Sequence, residues 1–191
     1  MHTPPKLRAV ALEHDGVVTA AEAREHGLDR SAVYRRVAIG DWVRVGPRLY
    51  RLADHPVTDR TTTRIATLSV GPSAILSGSV AAWWHGIVDD RPETITVTAP
   101  RGRHGPPVKG VRILNRSLAD ADVLIRGDLR VTGIALSALE GGVELGAEVI
   151  DSVLQQRRTT GWTVLNSTWA DLTERADYVA SSIRQALNVA A

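Results

Sequence analysis

The stretch Gly16 to Leu52, GVVTAAEAREHGLDRSAVYRRVAIGDWVRVGPRLYRL, decides the fold of the N-terminal region. Thr19 with Glu22 three residues on is a capping box, in which a threonine hydroxyl and a glutamate carboxylate satisfy each other's backbone N–H groups. It opens a short helix over Ala20–His26, and Gly27 turns the chain. Asp29 caps a further helix from Arg30 to about Ile39, closed by Gly40. Trp42-Val43-Arg44-Val45 and Leu49-Tyr50-Arg51-Leu52 flank Gly46-Pro47-Arg48, which reads as a hairpin. Upstream, Lys6–His14 reads as an amphipathic helix with Leu7, Val10 and Ala11 on one face, stopped at Asp15-Gly16. Three helices, two of them joined by a short glycine turn, followed by a hairpin, are the layout of a winged helix-turn-helix.

Within the third helix, Val33 and Val37 are expected to point inward. Arg30, Ser31, Tyr34 and Arg35 share the opposite side as i,i+4 pairs. A recognition helix reads base edges with its N-terminal residues, and arginine grips guanine through two parallel hydrogen bonds. Trp42, Val45 and Tyr50 are expected to close over the helices. Arg44, Arg48 and Arg51 are then left to face a phosphate backbone. Double-stranded DNA is the expected partner, with Arg30, Ser31, Tyr34, Arg35, Arg44 and Arg48 as its candidate contacts.

Charge placement supports this. The 191 residues carry a net charge of only +2, yet Asp29–Leu52 holds six arginines against two aspartates. Residues 141–191 are net acidic. Of the 23 basic residues 21 are arginine, so arginine choice is partly a property of the whole composition. Cysteine is absent, which excludes a disulfide framework and thiolate metal sites and fits a reducing cytoplasm. No apolar run approaches the roughly 18 residues needed to span a bilayer. The expectation is a cytoplasmic protein that contacts no membrane.

The remainder reads as mixed α and β, so the fold class is α+β with a boundary at 53/54. Arg60–Val70 is a helix candidate with Ile65, Leu68 and Ser69 near one face. Ala74–Leu76 is a short strand and Gly78–His85 a helix rich in small residues. Thr94–Ala99, Val111–Asn115, Val123–Arg126 and Leu129–Thr132 are strands, the last two joined at Gly127-Asp128. Several antiparallel strands covered by one or two helices are expected. Trp83-Trp84 is assigned to the core. The Pro100–Pro107 loop, with Arg101, Arg103 and His104, reads as a mobile surface loop or a further phosphate or acidic-partner contact. A helix over Val143–Arg157 carries the stripe Val143, Ala147, Ile150, Val153 and Leu154. After a break at Thr159-Thr160-Gly161, a further helical stretch runs to Asn188 with Trp169, Leu172, Ala176, Val179 and Ile183 in step. Both stripes are open to core packing or to a partner or dimer surface.

The Gly16–Leu52 stretch resembles the N-terminal domain of AbiEi-type antitoxins of type IV toxin–antitoxin systems, which occur in actinobacteria. AILSGSVAAWWHGI, ETITVTAPRGR, DVLIRGDLRVTGIALSALE and VIDSVLQQRRTTGWTVL resemble that family's later segments in order. The resemblance implies an antitoxin that represses its own operon through inverted repeats and counteracts a nucleotidyltransferase-like toxin, directly or indirectly. It places the DNA-reading positions at Arg30, Ser31, Tyr34 and Arg35, with Arg44 and Arg48 in the wing. One departure is that relatives often carry Thr-x-x-x-Arg after the hairpin. Here Thr132 is followed by Gly133-Ile134-Ala135-Leu136, so that arginine's role does not transfer.

Enzymatic chemistry is not expected. The six histidines lack metal-ligand spacing. No phosphate-binding loop or nucleophile elbow occurs, and a nuclease's acidic cluster with lysine is missing. No cofactor or metal is expected. The alternative to the antitoxin is a stand-alone winged-helix regulator without a toxin, and a shortened nuclease relative is the third reading. A homodimer would place half-sites about 10 bp or a multiple apart, whereas a monomer would bind each repeat separately.

Overall fold

The computed structural model describes residues 3–102, 104–105, 109–155, 174 and 178. The chain divides into two compact units, Met1–Val153 and Leu154–Ala191, and the architecture below is that of the first. The stripe expected at Trp169–Ile183 lies outside the described residues.

Helix α1 (Pro5–Glu13) starts with proline in its first turn, where a missing N–H costs nothing. It buries Leu7 and Ala11 and stops where Asp15 and Gly16 take φ values of 54° and 79°. Strand β1 (Val17–Thr19) leads into α2 (Ala20–Glu25), and the capping box is present in full. The Glu22 N–H donates to Thr19 Oγ1 at 3.2 Å, and the Thr19 N–H donates to Glu22 Oε2 at 2.6 Å. Helix α3 (Arg30–Ala38) follows, with the Ala32 N–H on Asp29 Oδ1 at 2.6 Å. Strands β2 (Trp42–Gly46) and β3 (Leu49–Leu52) complete an antiparallel sheet of order β1-β3-β2. Leu7, Ala11, Val18, Ala23, Val33, Trp42 and Leu52 form the core of this head.

Helix α4 (Asp59–Val70), capped by Thr58, reaches both halves of the unit. It packs against the small sheet of the head and against the strand Ile95–Ala99 of a second sheet. Its buried face is Thr61, Thr63, Arg64, Ala66, Thr67 and Val70, whereas Ile65, Leu68 and Ser69 are only half-buried. The sequence expectation had picked the apolar side, and polar contacts decided otherwise. The second sheet holds β4 (Ile75–Leu76), β5 (Ile95–Ala99), β6 (Val111–Asn115), β7 (Val123–Arg126) and β8 (Leu129–Thr132) in the order β6-β5-β4-β8-β7. Its pairing is mixed rather than antiparallel throughout: β5/β6 and β4/β8 run parallel. Strands of two to five residues carry no signal that distinguishes the two pairings.

Helix α5 (Gly78–Trp84) lies against α6 (Ile134–Leu145). Their small residues permit the approach, since a Cβ on Gly141 would sit 3.1 Å from that of Ala82. Trp84 is buried and Trp83 packs against the second core, with Val70, Leu76, Val80, Val97, Leu129 and Val131. The single helix expected over Val143–Arg157 is two. Gly146, at φ 124°, ends α6, and α7 (Glu148–Gln155) starts afresh. The break dissolves the expected stripe: Val143 is 88% exposed, while Val149 and Val153 are buried.

Candidate nucleic-acid interface

The capping of α3 by Asp29 fixes the direction of its first turn and so the side chains it presents. Ala32, Val33 and Arg36 face inward, and Arg36 Nη1 donates to the Ala32 carbonyl at 3.0 Å. Arg30, Ser31, Tyr34 and Arg35 are all exposed, Tyr34 by 74%. The wing is shaped by a bulge between Arg44 and Gly46 and by Arg48, whose φ of 58° closes the turn after Pro47. Arg44 Nε reaches back to the Gly46 carbonyl at 3.5 Å, while Arg44 and Arg48 remain exposed.

Helix and wing together enclose a cleft of about 620 Å³, whose walls include Arg24, Arg30, Tyr34, Arg44, Arg48 and Tyr50. A shallower hollow of about 300 Å³ lies beside it, formed by Arg30, Ser31, Tyr34 and Arg35. All six residues expected from the sequence therefore fall on one continuous concave surface, with Arg30 and Tyr34 shared by both hollows. The acidic side chain in the cleft wall, Asp29, is engaged in capping. Among the described residues Arg24, Arg30, Arg35, Arg44 and Arg48 form no ion pair. The arrangement is a basic trough with an aromatic ring standing in it, able to take a polyanion.

Two residues differ from expectation. Arg24, on the last turn of α2, was not singled out from the sequence. Its exposure on a glycine-terminated helix next to the turn was the available signal. Arg51 was expected to face phosphate, but its guanidinium turns along the chain and donates to the carbonyls of Leu52, at 2.8 Å, and His55. The Pro100–Pro107 loop is described in part. His104 Nε2 lies 3.1 Å from Asn115 Oδ1, and Arg103 is outside the described residues.

A polar joint ties the head to α4. Asp15 accepts from Arg60 Nε at 3.1 Å and from Arg64 Nε at 2.8 Å. Arg64 Nη1 also donates to the Gly127 carbonyl in the β7–β8 turn at 2.6 Å, and Thr61 Oγ1 donates to the Asp15 carbonyl at 2.9 Å. Burial pulls the Arg64 guanidinium pKa downward, against the pull of Asp15. Arg60 stacks 3.8 Å over the Trp84 ring, a cation–π contact. Beside this, His14 Nδ1 lies 2.7 Å from Glu22 Oε1 and His14 Nε2 lies 3.8 Å from Asp128 Oδ2. Burial raises the Glu22 pKa, but hydrogen bonds from His14 and Thr19 outweigh it and hold the carboxyl below its ordinary value. The three side chains are close enough together to suggest a cation site. However, the carboxylates use opposite ring nitrogens, and Glu22 already serves the capping box, so the cluster is a structural contact.

Three helices, with the second and third joined at Gly27, and a basic β-wing define a winged helix-turn-helix. Residues 5–53, the winged helix-turn-helix, match the family described as "Transcriptional regulator, AbiEi antitoxin". The crystal structure of the RV2827C protein from Mycobacterium tuberculosis is similar at 20% identity and a TM-score of 0.35. That likeness covers 66% of this chain and 51% of the other, so the chain spans about half the length of that protein. No curated protein matches the sequence.

Proposed function

We propose that this protein is a cytoplasmic DNA-binding antitoxin that represses its own operon and counteracts a nucleotidyltransferase-like toxin, without catalysing a reaction itself. The observation that carries the DNA reading is the trough, where five arginines drawn from α2, α3 and the wing, without ion pairs among the described residues, surround Tyr34. In winged-helix docking the recognition helix enters the major groove and the flanking elements hold the backbone. Arg30, at the start of α3, and Arg35, in its last turn, both lie on its exposed face and are suited to base edges. Arg24, Arg44 and Arg48 flank them and are suited to phosphates. Among the described residues no helix is long and apolar enough to cross a membrane.

The toxin-directed role is assigned to residues 54–191; among the described residues the trough is lined only by positions from Ala20 to Tyr50. A mobility-shift assay with the DNA upstream of the gene tests the first half of the proposal. Preference for that DNA over random duplex, lost in Arg35→Ala, is expected, and equal binding to both rejects self-repression. Growth rescue on co-expression with the product of the gene immediately downstream tests the second half. Sequence-specific binding without rescue would instead identify a stand-alone regulator.

A further inference from the structure

Strand β7 ends the second sheet, and among the described residues no strand pairs with its outer side. An edge of this kind is a template for another chain, and proteins normally blunt it with charge, proline or a bulge. The middle of β7 has none of these. Leu124 is 41% exposed and Ile125 70% exposed, and the charges lie only at the ends, in Asp122 and Arg126.

The β7–β8 hairpin fixes which backbone groups look outward. Its turn is Gly127-Asp128, with φ of 52° and 55°, the two-residue turn of mirror-image type. Such a turn is closed by a hydrogen-bonded pair, here Arg126 with Leu129, so Leu124 with Val131 is hydrogen-bonded as well. The same parity reappears below the strand, where the Gly133 N–H donates to the Asp122 carbonyl at 2.7 Å. Asp122, Leu124 and Arg126 therefore direct their N–H and C=O groups toward β8. Val123 and Ile125 direct theirs outward.

The geometry points to a two-fold dimer in which β7 pairs antiparallel with β7 of a second copy, about an axis through Leu124. The symmetric register that uses every outward group sets Val123 of one protomer opposite Ile125 of its partner, exchanging both hydrogen bonds, twice over. Leu124 then meets Leu124. The same register, chosen on backbone parity alone, sets Asp122 opposite Arg126 at both ends. An isologous contact needs a self-complementary patch, and an acidic residue two positions before the axis with a basic one two positions after it is self-complementary. The two five-stranded sheets would become one of ten strands. The contact involves no part of the trough, so it stands or falls separately from the DNA reading.

Sedimentation equilibrium of the full chain without DNA, from low to high micromolar concentration, tests the proposal. Wild type is expected to pass from monomer to dimer. Ile125→Pro removes an outward N–H and leaves the β8 ladder intact, so it is expected to remain monomeric with an unchanged circular dichroism spectrum. Arg126→Asp places two pairs of like charges across the axis and should weaken association at least tenfold. Adding Asp122→Arg to it restores opposite pairs and should recover most of that loss. This rescue within one chain would not occur for an unrelated partner strand or for another segment of the same chain. A wild type that stays monomeric, an Ile125→Pro variant that still dimerises, or a double reversal that behaves like the single one would overturn the proposal.

Discussion

Removing the two wing arginines, Arg44 and Arg48, should change how DNA affinity depends on salt. Each protein cation that neutralises a phosphate releases condensed counterions, and the slope of log K against log salt is about −0.9 per contact. Arg24, Arg44 and Arg48 lie on the elements flanking α3 and point to three phosphate contacts per head. On a duplex with one half-site the slope should be about −2.7, and raising salt from about 50 to 200 mM should weaken binding roughly 40-fold. In the Arg44→Ala/Arg48→Ala protein the slope should fall to about −0.9, with weakening of only about threefold to fourfold over the same range. Arg51→Met is the control, because that guanidinium is already committed to the carbonyls of Leu52 and His55 and its loss should leave the slope alone. Arg35→Ala should cost about 1–3 kcal/mol of discrimination with little change in slope. Fluorescence anisotropy over a salt series measures all four proteins. A wild-type slope near zero, or an unchanged slope in the wing double variant, would show that the trough does not hold the backbone.

Three further outcomes concern stability. Thr19→Ala removes the hydroxyl of the capping box and should cost about 1 kcal/mol, lowering the melting temperature by roughly 2–4 °C. Calorimetry showing no change would place the start of α2 under the control of tertiary packing alone. Arg64→Met breaks a buried pair but leaves Asp15 with Arg60, so about 2 kcal/mol is expected, short of the 3–5 of an abandoned charge. Arg60→Met, at a half-exposed pair, should cost under about 1 kcal/mol, and equal effects in urea melts would contradict this ranking of the joint. Glu22 has a folded-state pKa below its ordinary value, so its contribution is present above the ordinary carboxylate range and is lost as pH falls through and below about 4. Glu22→Gln should therefore flatten the acid limb of the stability–pH curve, and a limb as steep as that of wild type would assign the acid sensitivity elsewhere.

The head was legible because its punctuation is chemical. Thr19/Glu22, Asp29, Gly27 and Gly40 each do one local job, and the amphipathic step of α3 separates Val33 from Tyr34 without reference to anything distant. Only β1 escaped, because three residues paired to β3 leave no periodicity to read. The candidate contacts followed from α3 and the wing, but Arg24 and Arg51 could not be sorted by sequence. One reaches the cleft because α2 and the wing face each other. The other is withdrawn because the chain bends at His55. The body was legible as segments and not as a topology. Nothing local tells a two-residue strand such as Ile75–Leu76 whether its neighbour runs parallel to it. The Thr- and Arg-lined face of α4 reads as solvated until Asp15, 49 residues earlier, is brought against Arg64.

That last contact bears on how the molecule can be taken apart. The peptide bond after Ala53 looks like a natural cutting point, lying between one hydrophobic cluster and the next. Cleavage there would leave a fragment carrying Asp15 without either arginine, His14 without Asp128, and a vacant place where Thr61 had held the Asp15 carbonyl. Helix α4 is thus common property of reader and body. A truncation meant to isolate the reader should keep residues through Val70, and proteolysis that respects structure should spare the 53–58 connection despite its exposure.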